Sequence, residues 1–129
     1  MPAWRDAYLE LDIDEAARVV RQTRSNVEFP GIDALQASIG ALLAAMSQVR
    51  RAEYVLIQDM RAARGRNDPA FEAVMSQERP RMSQGFRRVA VLASTHIGRL
   101  QIQRYLDQDS VVGRAFLDEA EALRWLQES

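Results

Sequence analysis

The residues best equipped for chemistry crowd into one stretch, Tyr54 to Glu72, YVLIQDMRAARGRNDPAFE. Asp59 is followed by three arginines within six residues, Arg61, Arg64 and Arg66, and then by Asn67-Asp68-Pro69. A guanidinium offers a planar fork of N–H donors that matches carboxylate and phosphate oxygens. Asp68 reads as a helix N-cap and Pro69 as the first helical residue. The free N–H groups at such a helix start favour an anion as well. A phosphate-bearing or acidic ligand at Asp59, Arg61, Arg64, Arg66, Asn67 and Asp68 is therefore one expectation. The competing one is a solvated loop whose arginines pair with Asp59, Asp68 and Glu72, since Asp68 puts negative charge where the anion would sit. Gly65 alone makes no phosphate-binding fingerprint. His96 is the other candidate. It follows an apolar run, VAVLA, and should lie at the same sheet edge as Asp59, and Asp–His pairing is a common acid–base element. The nearest hydroxyls, Ser94 and Thr95, are well explained as a helix cap, so catalysis is not expected and His96 is kept only as a binding residue.

The elements that must position these residues follow from hydrophobic spacing. Residues 7–13 alternate and read as a half-buried strand, and residues 17–23 as a second strand, the pair forming an antiparallel hairpin across Asp14-Glu15-Ala16. Phe29-Pro30-Gly31 is a turn signal. Leu35, Ile39, Leu42, Met46 and Val49 mark one face of a helix over 33–51. Tyr54-Val55-Leu56-Ile57 and residues 89–93 are continuous apolar runs, as in strands buried on both faces. Between them a helix over 69–78 is expected to end or kink at Pro80, which lacks an N–H. A third helix runs from the Ser94/Thr95 cap to about Asp107, with Ile97, Leu100 and Leu106 turned inward and Ile102 exposed beside Tyr105 as a protein contact. Residues 111–116 form a last strand, and Asp118 starts a closing helix in which Ala122, Leu123, Trp125 and Leu126 supply apolar contacts.

The whole chain, 1–129, thus reads as a single α/β domain. It has about five strands in a mostly parallel sheet with an N-terminal antiparallel hairpin, and four helices in the order β-β-α-β-α-β-α-β-α. Composition agrees: 47% hydrophobic and 27% charged residues are usual for a folded domain of this length. A formal net charge of -1 argues against a general nucleic-acid binder. Cysteine is absent and there is one histidine, so neither thiol chemistry nor a metal site is expected, and no cofactor. No apolar run is long enough for a membrane span and MPAWRDAYLE shows no signal-peptide pattern, so a cytoplasmic location is expected. All seventeen basic residues are arginine, as in proteins of GC-rich bacterial genomes.

The order of elements resembles that of STAS domains, and more closely their SpoIIAA-like branch, sometimes described as STAS/SEC14. The stretches carrying the likeness are YVLIQDMR after a long helix, then RRVAVLAS, then AFLDEAEALRWLQES, where Phe116, Ala122, Trp125 and Leu126 fit that branch's closing helix. The resemblance implies a non-enzymatic bacterial regulatory or protein-interaction domain, with a protein partner or a second copy in a homodimer. It also implies a serine phospho-switch in the loop after Asp59. That loop, MRAARGRNDP, has no hydroxyl residue, so the switch is not carried over. The alternative is a small-ligand module for a phosphate-bearing or lipid-like molecule at the carboxyl edge of the sheet.

Overall fold

A computed structural model describes residues 2–64 and 68–128. Its elements are β1 (Trp4–Arg5), β2 (Leu9–Asp14), β3 (Val19–Arg24), α1 (Ile32–Ala45), β4 (Val55–Asp59), α2 (Pro69–Ser83), β5 (Val89–Leu92), α3 (His96–Gln108), β6 (Gly113–Phe116) and α4 (Glu119–Leu126). The strands form one six-stranded sheet in sequential order, β1 to β6. β1, β2 and β3 pair antiparallel, and β3 to β6 run parallel. The hairpin and the parallel remainder stand as the alternation of elements implied. The sixth strand is β1, which the apolar pattern missed because its two residues are too short to show a period. Asp6 creates it: its Oδ1 accepts the N–H groups of Tyr8 and Leu9, each at 2.8 Å. The chain turns there, so Trp4 pairs with Leu11 and Arg5 with Glu10, and β2 starts at Leu9 rather than at residue 7.

The strand order never reverses. Right-handed crossovers that step one way along a sheet leave their helices on one face, and α1, α2 and α3 all pack there. Leu11, Val20, Leu35, Ile39, Leu42, Leu56, Val89, Val91 and Leu106 form the main core. α4, which follows β6, covers the other face, where Val55, Ile57, Ala90, Leu92, Phe116, Ala122 and Leu126 form a smaller core. β4 and β5 alternate between the two cores, so their apolar runs are buried on both sides, and neither lies at a sheet edge.

Three helices differ from expectation. α1 ends at Ala45, short of residue 51, because Met46 and Ser47 tighten the last turn through bonds to the Leu43 and Ala44 carbonyls. α2 runs through Pro80 to Ser83. The missing Pro80 N–H leaves the Ser76 carbonyl without its usual helical bond, but the far end is held: Arg51 donates to the Arg81 and Gln84 carbonyls, both at 2.9 Å. Met82 and Ser83 are buried. In α3, Leu106 is buried and Ile102 packs partly buried on the main core, whereas Ile97 and Leu100 face solvent. Ile97 and Leu106 are nine residues apart and so stand about half a turn apart around the axis; they cannot share a face, and β6 selects the Ile102/Leu106 side.

Candidate functional site

Asp59 ends β4 at the carboxyl edge of the parallel strands. In register with Thr23 of β3 and Leu92 of β5, it lies on the α4 side of the sheet. Arg21 of β3 lies on that side too, two residues back in the same ladder. Asp118 caps α4 by accepting the Ala120 N–H at 2.8 Å, which places Glu119 over the same corner.

These residues close a square of charges. Arg61 reaches back over the strand end, donating from Nε to Asp59 Oδ1 at 3.0 Å and from Nη2 to Oδ2 at 2.8 Å. Its backbone N–H adds a bond to Oδ1 at 3.1 Å. Arg21 Nη2 donates to Asp59 Oδ2 at 2.8 Å. Both Nη2 groups also meet Glu119 Oε1, at 3.1 Å from Arg21 and 3.0 Å from Arg61. Two cations and two anions balance. The side-chain bonds from Arg61 are the main cause that lowers the Asp59 pKa from 3.8 to about 2, against the opposing effect of burial; the Arg61 backbone N–H, its charge and Arg21 add to it. The bond to Asp59 likewise raises the pKa of Arg61.

The chemistry this permits is narrow. An aspartate ionised throughout the neutral range, with both oxygens engaged, is a poor general base. Guanidinium forks spent on carboxylates are not presented to an outside anion. Asp59 is joined to Arg61, as the solvated-loop reading expected, and the second carboxylate is Glu119 in place of Glu72, which pairs with Arg79 at 2.8 Å. Arg64 is exposed on the following loop. Arg66 and Asn67 lie outside the described residues. Asp68 caps α2 as expected, accepting from Ala70 and Phe71 at 3.1 and 3.4 Å. His96 opens α3 and is exposed; it shares the carboxyl edge with Asp59, but the Asp59 carboxylate goes to the two arginines. Thr95 is the α3 cap, accepting the Gly98 N–H at 3.0 Å.

Arg21 and Glu119 were missed. Glu119 left a signal, since it follows a capping aspartate after a parallel strand and so had to sit at the carboxyl edge. Arg21 left only its alternation with Val20 and Gln22, which gives a face and no partner.

Two hollows are found at the opposite, amino edge. One, of about 590 Å³, lies between the β2–β3 turn and the α1–β4 connection, lined by Glu15, Arg18, Gln48, Arg50, Glu53 and Tyr54. The other, of about 240 Å³, is lined by Val19, Val55, Arg87, Leu123 and Leu126. Open α/β sheets take ligands at the carboxyl edge where strand order reverses, and this order does not reverse. Among the described residues no cluster of His, Asp or Glu is arranged to hold a metal ion, and no helix is long and apolar enough to cross a membrane. On α3, Ile97 is 79% and Leu100 58% exposed. They are neighbours at i and i+3 on the helix surface.

The sequence matches no protein-family model and no curated protein. Among solved structures it is similar to an uncharacterised protein of the DUF3478 family with a SpoIIAA-like fold, from Shewanella loihica PV-4. The TM-score is 0.63 at 14% identity, over 95% of this chain and 98% of that one. The likeness shows the fold: a mixed sheet with an antiparallel N-terminal hairpin and four helices, SpoIIAA-like.

Proposed function

We propose that this SpoIIAA-like fold serves as a non-enzymatic protein-interaction domain with a regulatory role, docking its partner on the outer face of α3. The observation that carries the reading is the exposed pair Ile97 and Leu100. Burying a large aliphatic side chain contributes about 1.5–3 kcal/mol, which both residues forgo in the isolated chain although the same helix buries Leu106. Apolar neighbours left in water on a helix face are characteristic of contact surfaces. The charge square supports the reading indirectly, because it commits Asp59 and Arg61 to each other and to Arg21 and Glu119. A ligand module at the carboxyl edge has less behind it, with Arg61 turned onto the strand end. Regulation by serine phosphorylation in the loop after Asp59 stays outside the proposal, since residues 60–69 carry no hydroxyl.

The test is a photo-crosslinking amino acid placed at position 100 in cells expressing the chain. Discrete protein adducts are expected there, lost when Ile97→Asp is added and absent when the same probe replaces exposed Arg50. Adducts that are equally frequent at both positions, or that survive Ile97→Asp, would refute a docking face on α3.

A further inference from the structure

Among the described residues, the outer strand β6 has no strand on its far side. In a parallel pair, alternate residues of a strand turn their backbone groups to alternate sides. Val112 and Phe116 give their carbonyls to the N–H groups of Val89 and Ala93 on the β5 side. Gly113 and Ala115 therefore turn theirs outward. Such an edge is a ready template for another chain.

This edge is occupied from within. The side-chain amide of Gln103, on α3, donates from Nε2 to the Gly113 carbonyl at 3.3 Å and accepts the Ala115 N–H on Oε1 at 2.9 Å. One bond to the residue before Arg114 and one from the residue after it is the pattern a residue of a neighbouring parallel strand would make. A primary amide carries the donor and acceptor needed to copy it. Gln103 is steadied by a second bond from Nε2 to Asp107 Oδ1 at 3.1 Å. α3 approaches β6 so closely that a Cβ on Gly113 would stand 2.9 Å from Leu106 Cδ2. Arg114 is exposed on the strand itself. Two copies paired antiparallel about a twofold axis through residue 114 would set their Arg114 side chains opposite each other, and like charges so placed repel.

We infer that β6 carries a latent strand-pairing surface for a second copy of this chain, and that Gln103 holds it closed with Arg114 as a second barrier. The twofold register joins Gly113 of one copy to Ala115 of the other, using the two outward groups that Gln103 now satisfies. Residue 114 becomes a non-hydrogen-bonded pair, in which side chains come closest.

The chain has no cysteine, so Arg114→Cys supplies a single thiol. Under mild oxidation, Arg114→Cys alone should stay monomeric on non-reducing gels, and Gln103→Ala with Arg114→Cys should give a reducible dimer. Amide exchange supplies the second measurement. In the unaltered chain the Ala115 N–H should be protected although no strand lies beside it. In Gln103→Ala its exchange should quicken tenfold or more, while Arg114 and Phe116 keep their protection and so report that the sheet is intact. Exchange of Ala115 at the rate of a free amide in the unaltered chain would overturn the inference whatever the variants do. So would unchanged Ala115 protection in Gln103→Ala, or a double variant that crosslinks no more than Arg114→Cys alone.

Discussion

Replacing Asp59 by asparagine removes one charge from the square at the carboxyl edge and little else in volume. Asparagine still accepts at Oδ1, but its NH2 group would face the Nη2 donors of Arg21 and Arg61, which now meet Oδ2 at 2.8 Å each. The fall of the Asp59 pKa from 3.8 to about 2 corresponds to roughly 2 kcal/mol of native-state stabilisation at about 1.4 kcal/mol per unit. Asp59 itself is only 8% exposed, but the Arg61 and Glu119 side chains are 42% and 36% exposed, and water screens partners so placed. We therefore expect Asp59→Asn to cost about 1–2 kcal/mol at pH 7. The pH dependence has a definite sign. The folded-state pKa lies below the unfolded one, so the contribution is complete above the unfolded pKa of about 4 and is lost as pH falls through about 2. The assay is urea unfolding of both proteins at pH 7, 5, 3 and 2. Their difference should hold from pH 7 to 5 and shrink towards zero by pH 2. A difference that persists undiminished at pH 2 would mean that the loss is steric, and one below about 0.5 kcal/mol at pH 7 would place the square with ordinary surface pairs.

Three further substitutions test how α3 packs against β6. Leu106→Ala should destabilise by about 2–5 kcal/mol, while Leu100→Ala should stay within about 0.5 kcal/mol; chemical denaturation of both reads the contrast, and similar losses would contradict the assigned face. Gly113→Ala drives a methyl group to 2.9 Å from Leu106 Cδ2 and 3.3 Å from the Val89 carbonyl, so a loss of about 1–3 kcal/mol is expected. The double variant with Leu106→Ala should recover part of it, and strictly additive losses would show that the two residues do not clash.

What the sequence by itself determined is the set of features whose causes lie within a few residues. Asp68, Thr95 and Asp118 cap the helices they precede because a side-chain oxygen two or three residues away meets a free N–H. Val55-Leu56-Ile57 and residues 89–92 are buried on both faces because an unbroken apolar run in a strand has to meet two layers. The alternation of strand and helix from the second strand of the hairpin onward followed from those periods, and that order, with a few short stretches, carried the resemblance to the SpoIIAA-like fold. Tertiary structure decided what depends on distant partners. Arg61 looks to Glu119, 58 residues on, and Arg21 to Asp59, 38 residues on; the local signal puts Glu119 at the carboxyl edge, but spacing along the chain names neither partner. α3 bears aliphatic side chains around much of its circumference, so only the position of β6 selects Ile102 and Leu106 as the inner face and leaves Ile97 and Leu100 outside. Pro80 stays inside a helix because Arg51, nearly thirty residues earlier, supplies donors to that helix's last carbonyls. In each case the deciding contact is with a distant residue, so long-range packing and charge pairing chose the arrangement.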